Sequence, residues 1–146
     1  MTSDLRTGGP LLSDTAFLLA RANANSLAAT HGALAEHGLR VRSYTVLALA
    51  VSEARLSQRD IAEYLRLDPS QVVALVDDLQ QRELVSREAD PNDRRAKVVV
   101  ATAEGRRTHA RAEAAVNAAE RGTLSVLDED EQAVLRDLLF RLAFPA

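Results

Sequence analysis

Between Leu56 and Ala103 two short helical patterns, a tight turn and two β-prone runs follow one another with almost no spare residues. No other stretch limits the fold so closely. Its centre is a predicted helix over Pro69–Gln81, where Val72, Leu75, Val76 and Leu79 recur at helical spacing and form one apolar face. Asp68 supplies an N-cap oxygen, and Pro69 occupies the first helical position, where a missing N–H costs nothing. A shorter helix over Gln58–Leu65 precedes it, opened by Ser57 with Asp60 three residues on, a variant of the capping box. Arg66-Leu67-Asp68 is the only link between the two, so the pair is a helix-turn-helix.

Val85-Ser86-Arg87 and Lys97-Val98-Val99-Val100-Ala101 come next as strands. Asp90-Pro91-Asn92-Asp93-Arg94-Arg95 lies between them, and Pro91 and Asn92 favour a turn there. A helix-turn-helix followed at once by a hairpin with an arginine-bearing tip is a winged helix. The run Leu79-Gln80-Gln81-Arg82-Glu83-Leu84-Val85, then Asp90 to Arg95, then Thr102-Ala103-Glu104-Gly105-Arg106, resembles the MarR family of bacterial transcription regulators, in order and spacing from Arg42 to Arg111. That family usually carries glycine where this chain has Glu83, a residue suited to the left-handed backbone of a helix C-cap.

Composition narrows the function. Apolar content of 47% and charged content of 27% belong to a globular chain, and 146 residues suffice for one domain with a real core. There is no cysteine, which excludes disulfides and thiol-based redox sensing. No apolar signal core or membrane-length run occurs, so a cytoplasmic location and no membrane partner are expected. The net charge of −3 divides unevenly: Arg40–Arg111 holds 13 basic against 11 acidic residues, and the remainder 5 against 10. DNA affinity follows local neutralisation of phosphates, so this balance permits a DNA face on the central stretch.

Elsewhere the chain is helical. Met1–Pro10 has the composition of a disordered arm, and Ser13 or Asp14 can cap a first helix reaching Glu36. Arg42–Glu53 is a strongly apolar second helix, and Ala54-Arg55-Leu56 is expected to add a short strand beside the wing. Thr102 caps an alanine-rich helix to Thr123, and Asp128 with Glu131 opens the last. Its stripe of Val134, Leu135, Leu138, Leu139 and Leu142, like that of the first helix, is too apolar to stand alone. The expected fold is mainly α with a small β-hairpin wing. It forms one domain over 1–146, with a winged-helix lobe at 42–101 and a helical dimerisation lobe at 11–37 and 102–146.

Candidate site residues follow from chemistry. Ser70, Gln71 and Ala74 lie off the apolar face of the second helix, and glutamine's paired donor and acceptor match the N6 and N7 edge of adenine. At the hairpin Asn92, Arg94, Arg95 and Lys97 are candidates for minor-groove and phosphate contact, with Arg59 a further phosphate contact. Asp93 beside them can hold a guanidinium; the resemblance implies that it braces the wing while the following arginine reaches DNA. The resemblance also implies a homodimer on a palindromic operator, most simply as a repressor, and a small aromatic or phenolic effector bound near the seam of the two lobes. His31, His37, Arg42 and Tyr44 are the polar groups near that junction, and could hold a carboxylate or phenolate. No cofactor is expected. The three histidines are not metal-spaced and no phosphate loop or nucleophile motif occurs, so the chain is not read as an enzyme. The competing reading is a winged helix serving as a protein-interaction module, which would need no basic tip.

Overall fold

A computed structural model describes residues 8–146. Helices α1 (Thr15–Ala35), α2 (Val41–Val51), α3 (Gln58–Leu65) and α4 (Pro69–Gln81) are followed by strands β1 (Val85–Asp90) and β2 (Asp93–Ala101), then α5 (Ala103–Thr123) and α6 (Glu129–Ala143). The chain divides into two compact units. One comprises Thr30–Val116, the other the described residues up to Ala29 together with Asn117–Ala146.

The central unit has its own core. Val46, Leu47 and Ala50 of α2, Ile61 of α3, Val72, Val76 and Leu79 of α4, and Val85 and Val99 of the hairpin are buried together with Leu34 and Ala112. The 3.6-residue spacing on α4 therefore does what the sequence requires of it, turning the stripe inward and the remaining positions to solvent. Strands β1 and β2 pair antiparallel from Val85 opposite Ala101 to Ala89 opposite Lys97.

The joint from α4 into β1 is closed by close packing. Leu84 N–H donates to Leu79 O and Glu83 N–H to Gln80 O, both at 2.9 Å, the two bonds of a Schellman cap. Glu83 takes φ of 59° there, the left-handed conformation for which glycine is better suited. Thr102 then ties the start of α5 to this joint. Its hydroxyl donates to Glu83 O at 2.7 Å and accepts from Gly105 N–H at 2.9 Å. A Cβ at Gly105 would stand 1.9 Å from Leu84 O, so only glycine lets α5 lie this close.

The terminal unit is different. Asp128 and Glu131 form the expected capping box, with bonds of 2.8 and 3.0 Å, but no residue of α6 is buried. Val134, Leu138 and Leu142, at successive i, i+4 positions, are 58%, 46% and 67% exposed.

Three expectations change. Ala54-Arg55-Leu56 is not a strand: Arg55 takes φ of 50°, which breaks extension, and only Leu56 O accepting from Val99 N–H at 2.9 Å remains of the pairing. The strands of the wing run further than the β-prone residues, leaving Pro91-Asn92 as the turn. Of the arm expected over Met1–Pro10, residues 1–7 lie outside the described residues, and Gly9–Ser13 forms a 3-10 turn. Asp14 then caps α1, its Oδ1 accepting from Phe17 N–H at 3.0 Å.

Candidate nucleic-acid interface

The two helices of the helix-turn-helix owe their starts to local chemistry. Asp60 N–H donates to Ser57 Oγ at 3.1 Å and Ser57 N–H returns to Asp60 Oδ2 at 3.0 Å. Hydrogen bonds from the Ser57 hydroxyl and backbone, with Arg59 nearby, hold the Asp60 carboxyl below its ordinary range. At α4 the Asp68 carboxylate accepts from the Ser70 hydroxyl at 2.6 Å and from Ser70 N–H at 2.9 Å, and these bonds lower its pKa in the same order. The Ser70 proton is thus committed to the cap, which leaves the exposed hydroxyl oxygen to act as an acceptor.

Ser70, Gln71 and Ala74 all lie exposed in the first two turns of α4. The two acids further along would repel phosphate if they were free, but both have partners. Asp77 Oδ1 accepts from Arg87 Nη2 at 2.6 Å, and Asp78 lies 3.6 Å from Arg82.

Nothing in the sequence position of Arg87 marks it, yet it joins three elements. From β1 it donates through Nε and Nη2 to Gln58 Oε1 of α3, at 3.0 and 2.6 Å, and through Nη1 to Gln80 Oε1 of α4, besides the bond to Asp77. A planar guanidinium with five donors suits that task, because it fixes the wing against both helices at once. The signal in sequence was an arginine in a short strand facing two glutamines and an aspartate. The partners stand 7, 10 and 29 residues away, which periodicity does not reveal. A second tie joins Arg55 to Glu88 of β1 at 3.2 Å.

At the wing, Asp90 Oδ1 accepts from Asn92 N–H at 2.9 Å and Asp93 Oδ1 from Arg95 N–H at 3.0 Å. Asp93 therefore braces the backbone of the tip. Ala89 pairs with Lys97 and Asp90 with Asp93, so Arg94, Arg95 and Ala96 fall outside the regular register, in a local irregularity of the hairpin. Asn92, Arg94, Arg95 and Lys97 are exposed, as is Arg59 on α3. An outward helix face with neutral polar ends and a hairpin bearing free cations thus occupy one unit.

The four residues considered for a ligand are divided. His37 lines a cavity of about 360 Å³ with Glu36, Arg82, Leu84, Glu104, Thr108 and Arg111. His31 lines another, of about 520 Å³, with Ala35, Gly38, Leu39 and Arg40. Tyr44 stacks on His109, ring centroids 5.4 Å apart and planes 13° from parallel. Arg42 stands exposed in the first turn of α2. Among the described residues no group of three or more His, Asp or Glu could hold a metal ion, and no helix is long and apolar enough to cross a membrane.

Comparison with known proteins adds the lineage. Residues 37–96 match the sequence profile of the MarR family. Over 93% of its length the chain is similar to a MarR-family transcriptional regulator of Rhodococcus sp. RHA1, with 44% identity, a TM-score of 0.86 and 98% of that chain covered. It is likewise similar to CouR of Rhodococcus jostii RHA1 bound to p-coumaroyl-CoA, at 45% identity and a TM-score of 0.85, covering 93% of this chain and 96% of that one. A transcriptional repressor CouR bound to a 23-mer DNA duplex matches at 28% identity with a TM-score of 0.85, covering 93% and 96%. No curated protein sequence matches. Winged helix, spacing and relatives together place the chain in the MarR family of transcription regulators.

Proposed function

We propose that the protein is a homodimeric repressor that binds a palindromic operator and releases it on binding an aromatic effector. The observation that carries the DNA reading is the pairing, in one unit, of an α4 helix whose acids are each paired with an arginine and a hairpin tip whose Arg94 and Arg95 are exposed. A protein-interaction module would have no use for that tip, and a relative 28% identical is bound to duplex DNA. In this reading Ser70, Gln71 and Ala74 enter the major groove. Arg94 reaches the minor groove, Arg95, Lys97 and Arg59 hold phosphates, and Asn92 sits at the turn against the backbone. The exposed stripe of α6 meets a second copy, which sets two recognition helices about one DNA turn, on the order of 34 Å, apart.

For the effector we propose an aromatic acid or its coenzyme A thioester, since a relative 45% identical holds p-coumaroyl-CoA. His31, His37, Arg42 and Tyr44 remain the residues assigned to it. The cavity at His37 has a direct route to DNA affinity: its Arg82 is the C-cap of α4, and Glu104 is already engaged by Arg107. An anion there would compete with Asp78 for Arg82. The effector must bind the DNA-incompetent state more tightly, because equal affinity for both states shifts nothing.

The test begins with duplexes selected from a random pool and titrated with protein. Arg94→Ala should weaken binding roughly tenfold or more and flatten its salt dependence. Salicylate, p-coumarate and p-coumaroyl-CoA are then added in turn. At least one should release the DNA, and Arg42→Ala should blunt that release without altering affinity in its absence. No selected duplex would remove the DNA reading. Binding that none of the three compounds moves would remove the effector class.

A further inference from the structure

We infer that Val73 is a specificity-determining residue that reads the C5-methyl group of a thymine in each operator half-site. The inference rests on the DNA-binding reading above. It starts from what α4 lacks. Pro69–Gln81 contains no arginine, lysine or histidine, so the commonest base contact, a cation on guanine O6 and N7, is not available to this helix. Its acids do not take over, since Asp77 is held by Arg87 and Asp78 by Arg82.

What remains outward is neutral. Ser70, Val73, Ala74 and Asp77 stand at i, i+3, i+4 and i+7, the spacing of one helix face. Val73 is 39% exposed, whereas Val72, Val76 and Leu79 on the inward side of the helix, next to it, are fully buried. A single exposed valine is ordinary on a protein surface. This one is the only large apolar residue of α4 left so exposed, and it is flanked by Ser70 and Ala74, whose short side chains let the helix backbone approach the groove floor. Branched methyls at that depth have one apolar target in B-DNA, the methyl group of thymine. Together with Gln71, suited to adenine, Val73 makes A·T pairs the bases that this helix distinguishes.

The test replaces thymine by uracil, one position at a time and in both half-sites, in the duplex of highest affinity. The protein is unchanged by that substitution, so folding does not enter. Wild-type protein should lose about fourfold in affinity per half-site at one position, the worth of one buried methyl. Val73→Ala should bind the thymine duplex correspondingly more weakly, and should be indifferent to uracil at that same position. Equal losses for both proteins at every position, or a consensus with only G·C pairs beneath α4, would overturn the proposal while leaving DNA binding in place. Absence of any selected sequence would instead overturn the DNA reading.

Discussion

The two units of the chain solve the problem of burying apolar surface in opposite ways. Every buried hydrophobic residue among those described lies between Leu34 and Ala112, within the central unit. There α2, α3, α4 and the hairpin close over one another, and α3 and α4 start at side-chain caps. The terminal helices carry as plain an apolar stripe, yet no residue of α6 is fully buried, and Phe140 and Phe144 are 64% and 47% exposed. A contiguous apolar face of this kind marks an interaction surface. One unit therefore closes its core as a single chain, and the other leaves an apolar face that the second copy proposed above would cover. In the function proposed above the same division would separate the tasks, with groove contacts on the self-sufficient unit and assembly on the other.

The largest effect expected is on the incomplete side. Leu138→Asp places a charge in the middle of the Val134, Leu138, Leu142 stripe, where the dimer would have to bury it. The variant should sediment as a monomer at concentrations where the parent is a dimer. Its affinity for a palindromic duplex should fall by about 10² to 10⁴, since the second half-site no longer binds intramolecularly. Helical circular dichroism should persist, because the central core is untouched. A variant that stays dimeric would put the interface elsewhere and end the contrast drawn between the units.

The central unit can be broken too, from inside. Gly105→Ala forces a Cβ to within 1.9 Å of Leu84 O, a backbone atom that cannot swing away. Overpacking of this kind costs about 1–3 kcal/mol, and a lower urea midpoint with an unchanged slope would record it. Because Leu84 leads from α4 into β1, operator affinity should fall as well. A parent-like midpoint would mean that α5 can move off the joint, and that the closure of this unit is looser than its contacts imply.

What the sequence made legible was local. Asp68, Ser57 with Asp60, and Asp128 with Glu131 declare their caps within three residues, and α3 and α4 fall where those caps put them. The stripe on α4 foretells its buried side for the same reason. Contacts between elements were out of reach: Arg87 collects acceptors from two helices, and Gly105 matters only because a carbonyl 21 positions earlier lies against it. The expected strand at Ala54–Leu56 failed because propensity does not register a left-handed residue such as Arg55. The candidate ligand residues were near in sequence, but two of them line separate cavities and a third stacks on His109 of α5.

The smallest expected effect sharpens the account of the central unit, and it concerns Glu83. The family's usual glycine is replaced here, yet the helix ends as a glycine would end it, with both bonds of the Schellman cap formed at 2.9 Å. Two features hold Glu83 in its left-handed conformation. Leu79 and Leu84 on either side of the cap are buried, and the Thr102 hydroxyl fixes the Glu83 carbonyl at 2.7 Å. Surrounding contacts thus over-determine a conformation that costs an L-residue about 1–2 kcal/mol. Glu83→Gly removes that cost but gives the unfolded chain more freedom, which returns about 0.5–1 kcal/mol of it. The net expectation is a stabilisation of about 0.5 kcal/mol, read as a small rise in the urea midpoint. Glu83→Ala keeps the strain and should show no such rise, which separates backbone relief from loss of the side chain's charge. Operator affinity should be unchanged in both variants, since the bonds that aim β1 come from Leu84 and Thr102. A glycine midpoint below that of the alanine variant would show that Glu83 is unstrained at its φ of 59°, with only the entropic cost of glycine remaining. A change in affinity would show that residue 83 sets the direction of the wing.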